Sequence, residues 1–369
     1  MKLLPPLGLA GVLLAALLPS GAQAQLIELS STWIQHDPQE VENVQPNGLL
    51  DLINQSAGGF TATVRANEYA PEYPARSQYL PRIVQTFADQ PVTNAGSRVT
   101  VAFDVVFHTL APENVDVGFR ISLGDTNANN AILGGFEFGT PSGQVVLLRY
   151  DTTITQDTNY LDLVTGNYVF GGPYAWSSIC DGGGNMGSTS TAPNGAAMGT
   201  DTTTTHHIRF SVERVPTSAG GLGLQVDAVW SNSAGDEVSG AAGAPIPGGN
   251  GDDFNGLTNV LPWTNINCFA LCLFGTAGRQ PFLEGSYTVS NFEAYYGFKI
   301  TDFLKDGSDE VITWESTPVD VCQYIVESSS NLSIWSPIST NLTEGFTTSF
   351  TNSAPVAADA RYYRVVKQF

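Results

Sequence analysis

The chain has 369 residues, of which 42% are hydrophobic and 10% aromatic, which is enough to fill a core and excludes an intrinsically disordered protein. Thirty-five acidic residues against 15 basic ones give a formal net charge of −20, which repels phosphate backbones, and no basic patch offsets it. We therefore expect no nucleic-acid partner, and the length predicts one large or two ordinary domains.

Residues 1–24 have the pattern of a secretory signal peptide. Lys2 supplies a positive charge, an apolar run follows over residues 7–18, and Ala22 and Ala24 form a small-x-small cleavage site. The apolar run has about 12 residues, whereas a membrane-spanning helix needs about 20. An uncleaved membrane anchor is the alternative. We expect a secreted, extracellular or cell-surface protein without membrane insertion.

Apolar and polar residues alternate along much of the remaining chain. Residues 99–107 put every second, apolar residue on one face, and the segments 117–123, 208–212 and 222–230 repeat this period of two. A Gly-containing connection at 216–221 predicts a hairpin between the last two segments. Strands with one apolar face suit antiparallel sheets that bury one side. The sequence therefore predicts an all-β fold.

Two polar, Gly-rich segments, 181–205 and 232–259, lack this alternation, and we expect both to be long loops. Alternation returns at 287–295, where the apolar phase slips between Val289 and Phe292 and predicts a β-bulge.

Gly297 marks a predicted boundary, with one domain at 25–297 and a second at 298–369. Strands of the second domain are predicted at 310–314, 323–328 and 361–366. Its predicted core consists of large apolar side chains: Trp314, Tyr324, Val326, Trp335 and Tyr363.

Two family resemblances follow from these strands. The segments 98–105, 207–213, 222–230 and 287–295 resemble the concanavalin-A-like lectin/glucanase jelly rolls of exported bacterial proteins. The C-terminal strands, around Trp314, Tyr324 and Tyr363, resemble a fibronectin-III-like module found at the ends of such proteins. The resemblance implies a large antiparallel jelly-roll β-sandwich followed by a small fibronectin-III-like β-sandwich. Members of the first family bind sugars, cleave glycans or serve purely structural roles.

The sequence shows no recognisable catalytic centre. The Glu-x-Asp-x-x-Glu spacing of the glucanases that the chain resembles does not occur, and Glu137 is a lone acid on a predicted strand. Lyases of that fold use Tyr, His, Arg and Gln in one cleft, so His108, His206 and an arginine would have to meet. His206 and His207 begin a predicted strand, an arrangement that we interpret as incidental. We expect no enzyme.

An aromatic, Gly-rich segment at 166–181 is the predicted ligand-binding loop. Tyr168, Tyr174 and Trp176 lie beside glycines, and aromatic faces stack on sugar C–H surfaces. Trp263 joins them if a disulfide draws the two segments together. The alternative is that these rings plug one end of the sandwich.

The chain contains four cysteines, which is an even number and suggests disulfides in an oxidising compartment. Cys268 and Cys272 are four residues apart and share a strand face if the segment is extended. We expect Cys180 to pair with one of these two, and Cys322 lies far down the chain. A zinc site is the alternative, but further ligands with the necessary spacing are missing.

Asp125, Asn127 and Asn129 offer oxygen atoms on alternate residues, as a structural calcium ion requires. A plain polar turn is the alternative. We expect no other cofactor.

These observations predict a secreted, non-catalytic glycan-binding or cell-surface-associated protein whose partner is a polysaccharide or a cell-surface glycan. The first alternative is a structural protein of an envelope or extracellular lattice without a small-molecule site. A polysaccharide lyase or glycoside hydrolase is the second alternative.

Overall fold

The structure is a computed structural model, and its regular secondary structure, in the residues that it describes, consists of β-strands. The described residues are 24–36, 50–64, 82–110, 117–125, 130–138, 146–151, 185–189, 204–216, 222–233, 237–243, 265–275, 285–306, 309–316, 322–342, 345–353 and 362–368. The pairings between these strands are antiparallel, and the predicted all-β class is confirmed.

One large sheet contains eight strands. Across the sheet these are β13 (Glu237–Gly243), β12 (Leu222–Asn232), β11 (His206–Pro216), β6 (Arg98–Leu110), β15 (Gly285–Tyr296), β4 (Gly59–Val64) and β3 (Leu50–Ser56). The short strand β1 (Gln25–Leu26) also pairs with β15. The predicted hairpin is confirmed because β11 and β12 pair over their whole length.

A second large sheet contains seven strands. Across the sheet these are β10 (Asn185–Thr189), β9 (Val146–Asp151), β8 (Asn130–Phe138), β7 (Val117–Asp125), β14 (Asn265–Gly275), β5 (Arg82–Pro91) and β2 (Ile34–His36).

The two large sheets pack face to face around one hydrophobic core, and we call this body the large sandwich. The apolar positions of β6 point into it, and Val99, Val101 and Phe103 are buried. Phe269 of the opposite sheet lies 5.8 Å from Phe103 and 4.9 Å from Phe292 between ring centroids. Because burial of such a side chain stabilises the fold by about 1.5–3 kcal/mol, the period of two fixes which face of each strand is inside.

The predicted bulge is present in β15, where its register with β6 shifts between Ser290 and Glu293. Asn291 lies in the bulge with a φ of 51°, which Asn tolerates better than most residues. The turn between β3 and β4 packs against this point, and the Phe292 N–H donates to the Gly58 carbonyl over 2.9 Å. Gly59 has a φ of 148°, and a Cβ there would lie 2.0 Å from the Val289 carbonyl oxygen.

The two segments predicted as loops each contain a strand, so that prediction was wrong in part. β10 lies within 181–205, and β13 lies within 232–259. β13 pairs with β12 in continuous register although its sequence is rich in Gly and Ala. An edge strand gains backbone hydrogen bonds from one neighbour without needing an apolar face, and so it leaves no period-two signal.

The C-terminal region forms two three-stranded sheets, which we call the C-terminal sheets. One consists of β16 (Ile300–Asp306), β17 (Asp309–Glu315) and β20 (Thr347–Asn352). The other consists of β19 (Ser336–Leu342), β18 (Gln323–Ser329) and β21 (Tyr362–Gln368). They enclose a separate hydrophobic cluster: Phe298, Ile312, Trp314, Cys322, Tyr324, Val326 and Val365. The three strands predicted here are confirmed.

Trp335 does not belong to this cluster, contrary to the prediction. It lies between β18 and β19, where its Nε1 donates to the Leu332 carbonyl over 3.2 Å. The Arg364 guanidinium covers the ring at 4.5 Å from its centroid. Tyr363, also predicted as core, packs at the edge of the cluster and is partly buried.

Candidate functional site

Polar side chains occupy the outer face of the eight-stranded sheet, which is the face turned away from the core of the large sandwich. Alternation on β6 places Asp104 and His108 there, and on β11 it places His207 and Glu213 there. Burial increases along this face. His207 and His108 are exposed at one end, whereas Arg98 and Glu213 are buried at the other.

At the exposed end, Asp104 links three strands through both of its carboxylate oxygens. His207 Nδ1 lies 2.6 Å from Asp104 Oδ1, and the Asn291 amide donates to Asp104 Oδ2 over 2.7 Å. The His207 side chain is 47% exposed and that of Asp104 is 20% exposed, so both reach solvent. The bulge in β15 places Asn291 in this position.

A second set of hydrogen bonds lies on the same outer face. His108 Nε2 lies 2.8 Å from Thr288 Oγ1, and that hydroxyl lies 3.0 Å from Thr61 Oγ1. We call the combined group the exposed polar cluster: Thr61, Asp104, His108, His207, Thr288 and Asn291. It offers hydroxyl, imidazole, amide and carboxylate groups in orientations that neighbouring strands fix.

At the other end of the face lies a buried charge network centred on Arg98. Its Nη2 donates to Asp227 over 3.1 Å and to Ser211 over 2.8 Å, and its Nη1 lies 3.5 Å from Glu213. Burial disfavours the charge on Arg98, but Asp227 and then Glu213 outweigh that effect and raise its pKa. Burial raises the pKa of Asp227, and the nearby Arg98 partly opposes this.

The C-terminal sheets cover this buried end. Lys367 Nζ of β21 lies 2.5 Å from Glu213 Oε1, and Glu315 of β17 lies 3.1 Å from Arg209. The outer face is therefore covered at the Arg98 end and accessible at the His207 end. The exposed polar cluster lies in the part of this face that a ligand can reach.

His108 and His206 do not meet in the cleft that a lyase would need. His206 and His207 do begin β11, as predicted, but they point to opposite faces. The His206 ring is buried and stacks on Trp230, with centroids 5.8 Å apart. His108 lies on the outer face, so His206 and His108 are on opposite sides of the sheet.

The predicted ligand residues Tyr168, Tyr174, Trp176 and Trp263 lie outside the described residues. Among the predicted calcium ligands, Asn127 and Asn129 also lie outside them, and the backbone of Asp125 ends β7. Within the described part of the chain, no group of three or more His, Cys, Asp or Glu side chains is placed to bind a metal. The aromatic loop and the calcium site remain predictions.

Cys268 and Cys272 both belong to β14, so the segment is extended as the prediction required. Cys268 and Cys322 are buried, the latter in the core of the C-terminal sheets. Cys180 lies outside the described residues, so its disulfide remains a prediction. Among the residues whose placement is described, no helix is long and apolar enough to cross a membrane.

Sequence reasoning missed most of the exposed polar cluster. It identified His108 and His207 as titratable groups but overlooked Asp104 and Thr288. The available signal was the polar half of the same alternation, because Asp104 falls between the core positions Phe103 and Val105. The contacts of Asp104 and His108 with residues of β15 depend on strand order, and the alternation does not give strand order.

Comparisons with known proteins do not assign this chain to a family. No family model and no curated protein matches it. Among solved structures, the CBM2 module of the evolved Dit of Lactobacillus casei BL23 phage J-1 aligns with a TM-score of 0.36 and 10% identity, over 75% of this chain and 97% of that chain. A TM-score this low carries no argument about topology or ligand.

Proposed function

We propose that this protein is secreted, non-catalytic and binds a glycan, or a glycan-bearing surface, through the exposed polar cluster. The proposal includes the finer assignments made from sequence. These are a signal peptide at 1–24, a concanavalin-A-like jelly roll at 25–297 and a fibronectin-III-like module at 298–369. The observation that carries it is the solvent-accessible arrangement of His207, Asp104 and Asn291.

This arrangement suits sugar hydroxyls, which both donate and accept hydrogen bonds. Asp104 is an acceptor, the Asn291 amide provides both kinds of group, and His207, whose Nδ1 faces Asp104, has its Nε2 left for a ligand. Because the sheet and the internal hydrogen bonds already hold these side chains, binding would cost little further ordering. Rigid strands position such groups better than loops do.

The expected ligand is an uncharged glycan. The chain carries a formal net charge of −20, and Asp104 adds a carboxylate at the cluster itself. Uronate or sulfate groups would therefore be repelled, especially at low ionic strength.

The acids on this face support a binding role without glycan cleavage. Glycoside hydrolysis requires two carboxyl groups about 5–9.5 Å apart on either side of the scissile bond. Glu293 pairs with Lys299, while Glu213 and Asp227 are buried in the charge network. The exposed Asp51 also lies on this face, but on β3, which is the third strand from β6 and therefore about 14 Å or more from Asp104, too far for such a pair.

The test is a printed array of neutral and anionic glycans, probed with the chain beginning at Gln25. Asp104→Ala is the site variant. Asp302→Ala is the matched control, since Asp302 is exposed on β16 of the C-terminal sheets. We expect retention of neutral glycans by the unmodified chain and by Asp302→Ala, and at least about tenfold weaker binding by Asp104→Ala, the scale of one charge-assisted hydrogen bond.

Two failures have different meanings. An array without any retained glycan would refute glycan binding and favour a structural protein. Binding that survives Asp104→Ala unchanged would keep glycan binding but refute the exposed polar cluster as its site.

A further inference from the structure

The connection between the large sandwich and the C-terminal sheets is short and hydrogen-bonded. β15 ends at Tyr296 and β16 begins at Ile300. Between them, the Gly297 N–H donates to the Arg98 carbonyl over 2.8 Å, and the Lys299 carbonyl accepts from the Glu315 N–H over 2.9 Å. The Phe298 side chain is buried in the C-terminal core. The connection is therefore held by hydrogen bonds and by a buried side chain, unlike a flexible linker.

Glu315 of β17 forms the first cross-connection. One of its oxygens accepts from the Tyr295 hydroxyl over 2.5 Å and lies 3.1 Å from Arg209 Nη1. The other accepts from the Lys299 backbone N–H over 3.2 Å. Its side chain is only 4% exposed, so this carboxylate is held by donors from β15, β11 and the connection.

Lys367 of β21 forms the second cross-connection. Its ammonium group lies 2.5 Å from Glu213, whose other oxygen faces Arg98. The Lys367 side chain is 7% exposed and that of Glu213 is fully buried. The ammonium also lies 5.6 Å from the centroid of Tyr324 in the C-terminal core.

Buried charges make such a contact specific. Removing a charged group from water is costly, and the attraction to a partner offsets this only when the geometry is good. Sliding or rotation of the C-terminal sheets would separate Lys367 from Glu213 and Glu315 from Arg209 while leaving them partly desolvated. Alternative orientations are therefore disfavoured, whereas tethered domains move relative to each other by default.

We propose that the two cross-connections form a fixed joint, which holds the C-terminal sheets in one orientation on the large sandwich and makes the whole chain unfold as one cooperative unit. The C-terminal region is then part of a rigid body and not a tethered spacer. This inference does not depend on any ligand.

The test compares the chain beginning at Gln25 with the double variant Glu315→Gln/Lys367→Met. Lys305→Met is the matched control, because Lys305 is an exposed lysine on β16. Calorimetry measures cooperativity, and small-angle X-ray scattering measures the spread of orientations. The indole N–H NMR signal of the buried Trp314, assigned by its loss in Trp314→Phe, reports whether the C-terminal sheets remain folded.

We expect one two-state transition and scattering that fits a single shape for the unmodified chain and for Lys305→Met. The double variant should show a separate C-terminal transition at least about 5 °C lower, with a broader range of orientations. Two independent transitions in the unmodified chain, or a double variant indistinguishable from Lys305→Met, would overturn the proposal. If the double variant loses the Trp314 signal, Glu315→Gln alone replaces it under the same two criteria.

Discussion

Replacement of Arg98 by methionine tests the buried charge network directly. Methionine keeps most of the volume and the apolar stem but removes the guanidinium that faces Asp227, Glu213 and Ser211. Glu213 retains Lys367, so Asp227 is the group most affected. Asp227 is fully buried, and with Arg98 gone only the weaker effect of Arg209 favours its charge, so the cost of that charge falls on the folded state.

Loss of one partner from a buried ion pair costs about 3–5 kcal/mol, which is a large part of the 5–15 kcal/mol that stabilise a typical domain. Breaking an ion pair that is partly exposed to solvent costs less stability. Arg364→Met breaks the ion pair between Arg364, whose side chain is 26% exposed, and Glu327, whose side chain is 17% exposed. It also removes a contact with Trp335. We expect that variant to lose about 1 kcal/mol.

The cost of Arg98→Met should depend on pH with a definite sign. Burial already raises the pKa of Asp227, and Arg98 is the first group that counteracts this. Without Arg98 the folded-state pKa rises further, so the folded state binds the proton more tightly than the unfolded state. Stability of the variant then falls as pH rises from the ordinary aspartate pKa, about 4, through the raised folded value.

The assay is urea unfolding followed by tryptophan fluorescence at about pH 5 and about pH 8, a range that lies above the ordinary aspartate pKa and covers the raised pKa of a buried carboxyl. Asp227→Asn in the Arg98→Met background removes the stranded charge and should recover about 1–3 kcal/mol at the higher pH. The reasoning is refuted if Arg98→Met costs no more than Arg364→Met, or if its cost is equal at both pH values and Asp227→Asn restores nothing.

Two further predictions concern the bulge and alkaline pH. Gly59→Ala should cost about 3 kcal/mol or more in urea unfolding, because its Cβ would meet the Val289 carbonyl at 2.0 Å and its φ is 148°. Gly58→Ala, with nothing closer than 3.9 Å, should be nearly neutral, and equal losses would contradict this packing. Burial disfavours the charge of Lys367, but the facing Glu213 carboxylate outweighs this effect and raises the pKa of Lys367 above 10.5. Burial also raises the pKa of Tyr295. Thermal stability should therefore fall as pH rises above about 10, less steeply in Lys367→Met, and a flat profile in the unmodified chain would contradict the assignment.

The sequence predicted many of the strands in which burial imposes a period of two. Apolar side chains that must face one core account for three of the predicted features. They are the strand over Val99 to Phe107, the hairpin that begins at His206 and the bulge near Phe292. β13 escaped prediction because an edge strand is held by backbone hydrogen bonds, which any small residue can form. Trp335 was wrongly placed in the core because size and apolarity do not show whether a loop residue points inward or packs under an arginine.

The polar face was harder to predict because its organisation depends on strand order. Asp104 and Asn291 are far apart in the chain and meet only because β15 lies beside β6. The contact between Lys367 and Glu213 depends on how the C-terminal sheets dock, and local sequence patterns carry no such information. The ligand-binding role of Tyr168, Tyr174 and Trp176 remains a prediction, because these residues lie outside the described part of the chain.

Imidazole NMR of the four histidines during titration with a neutral glycan tests the central claim most directly. His108 and His207 lie on the accessible outer face, while His206 is buried on the opposite face and serves as an internal control. The signals of His207 and His108 should shift in proportion to bound glycan, and the signal of His206 should not move. Binding that leaves His207 and His108 unchanged would contradict it.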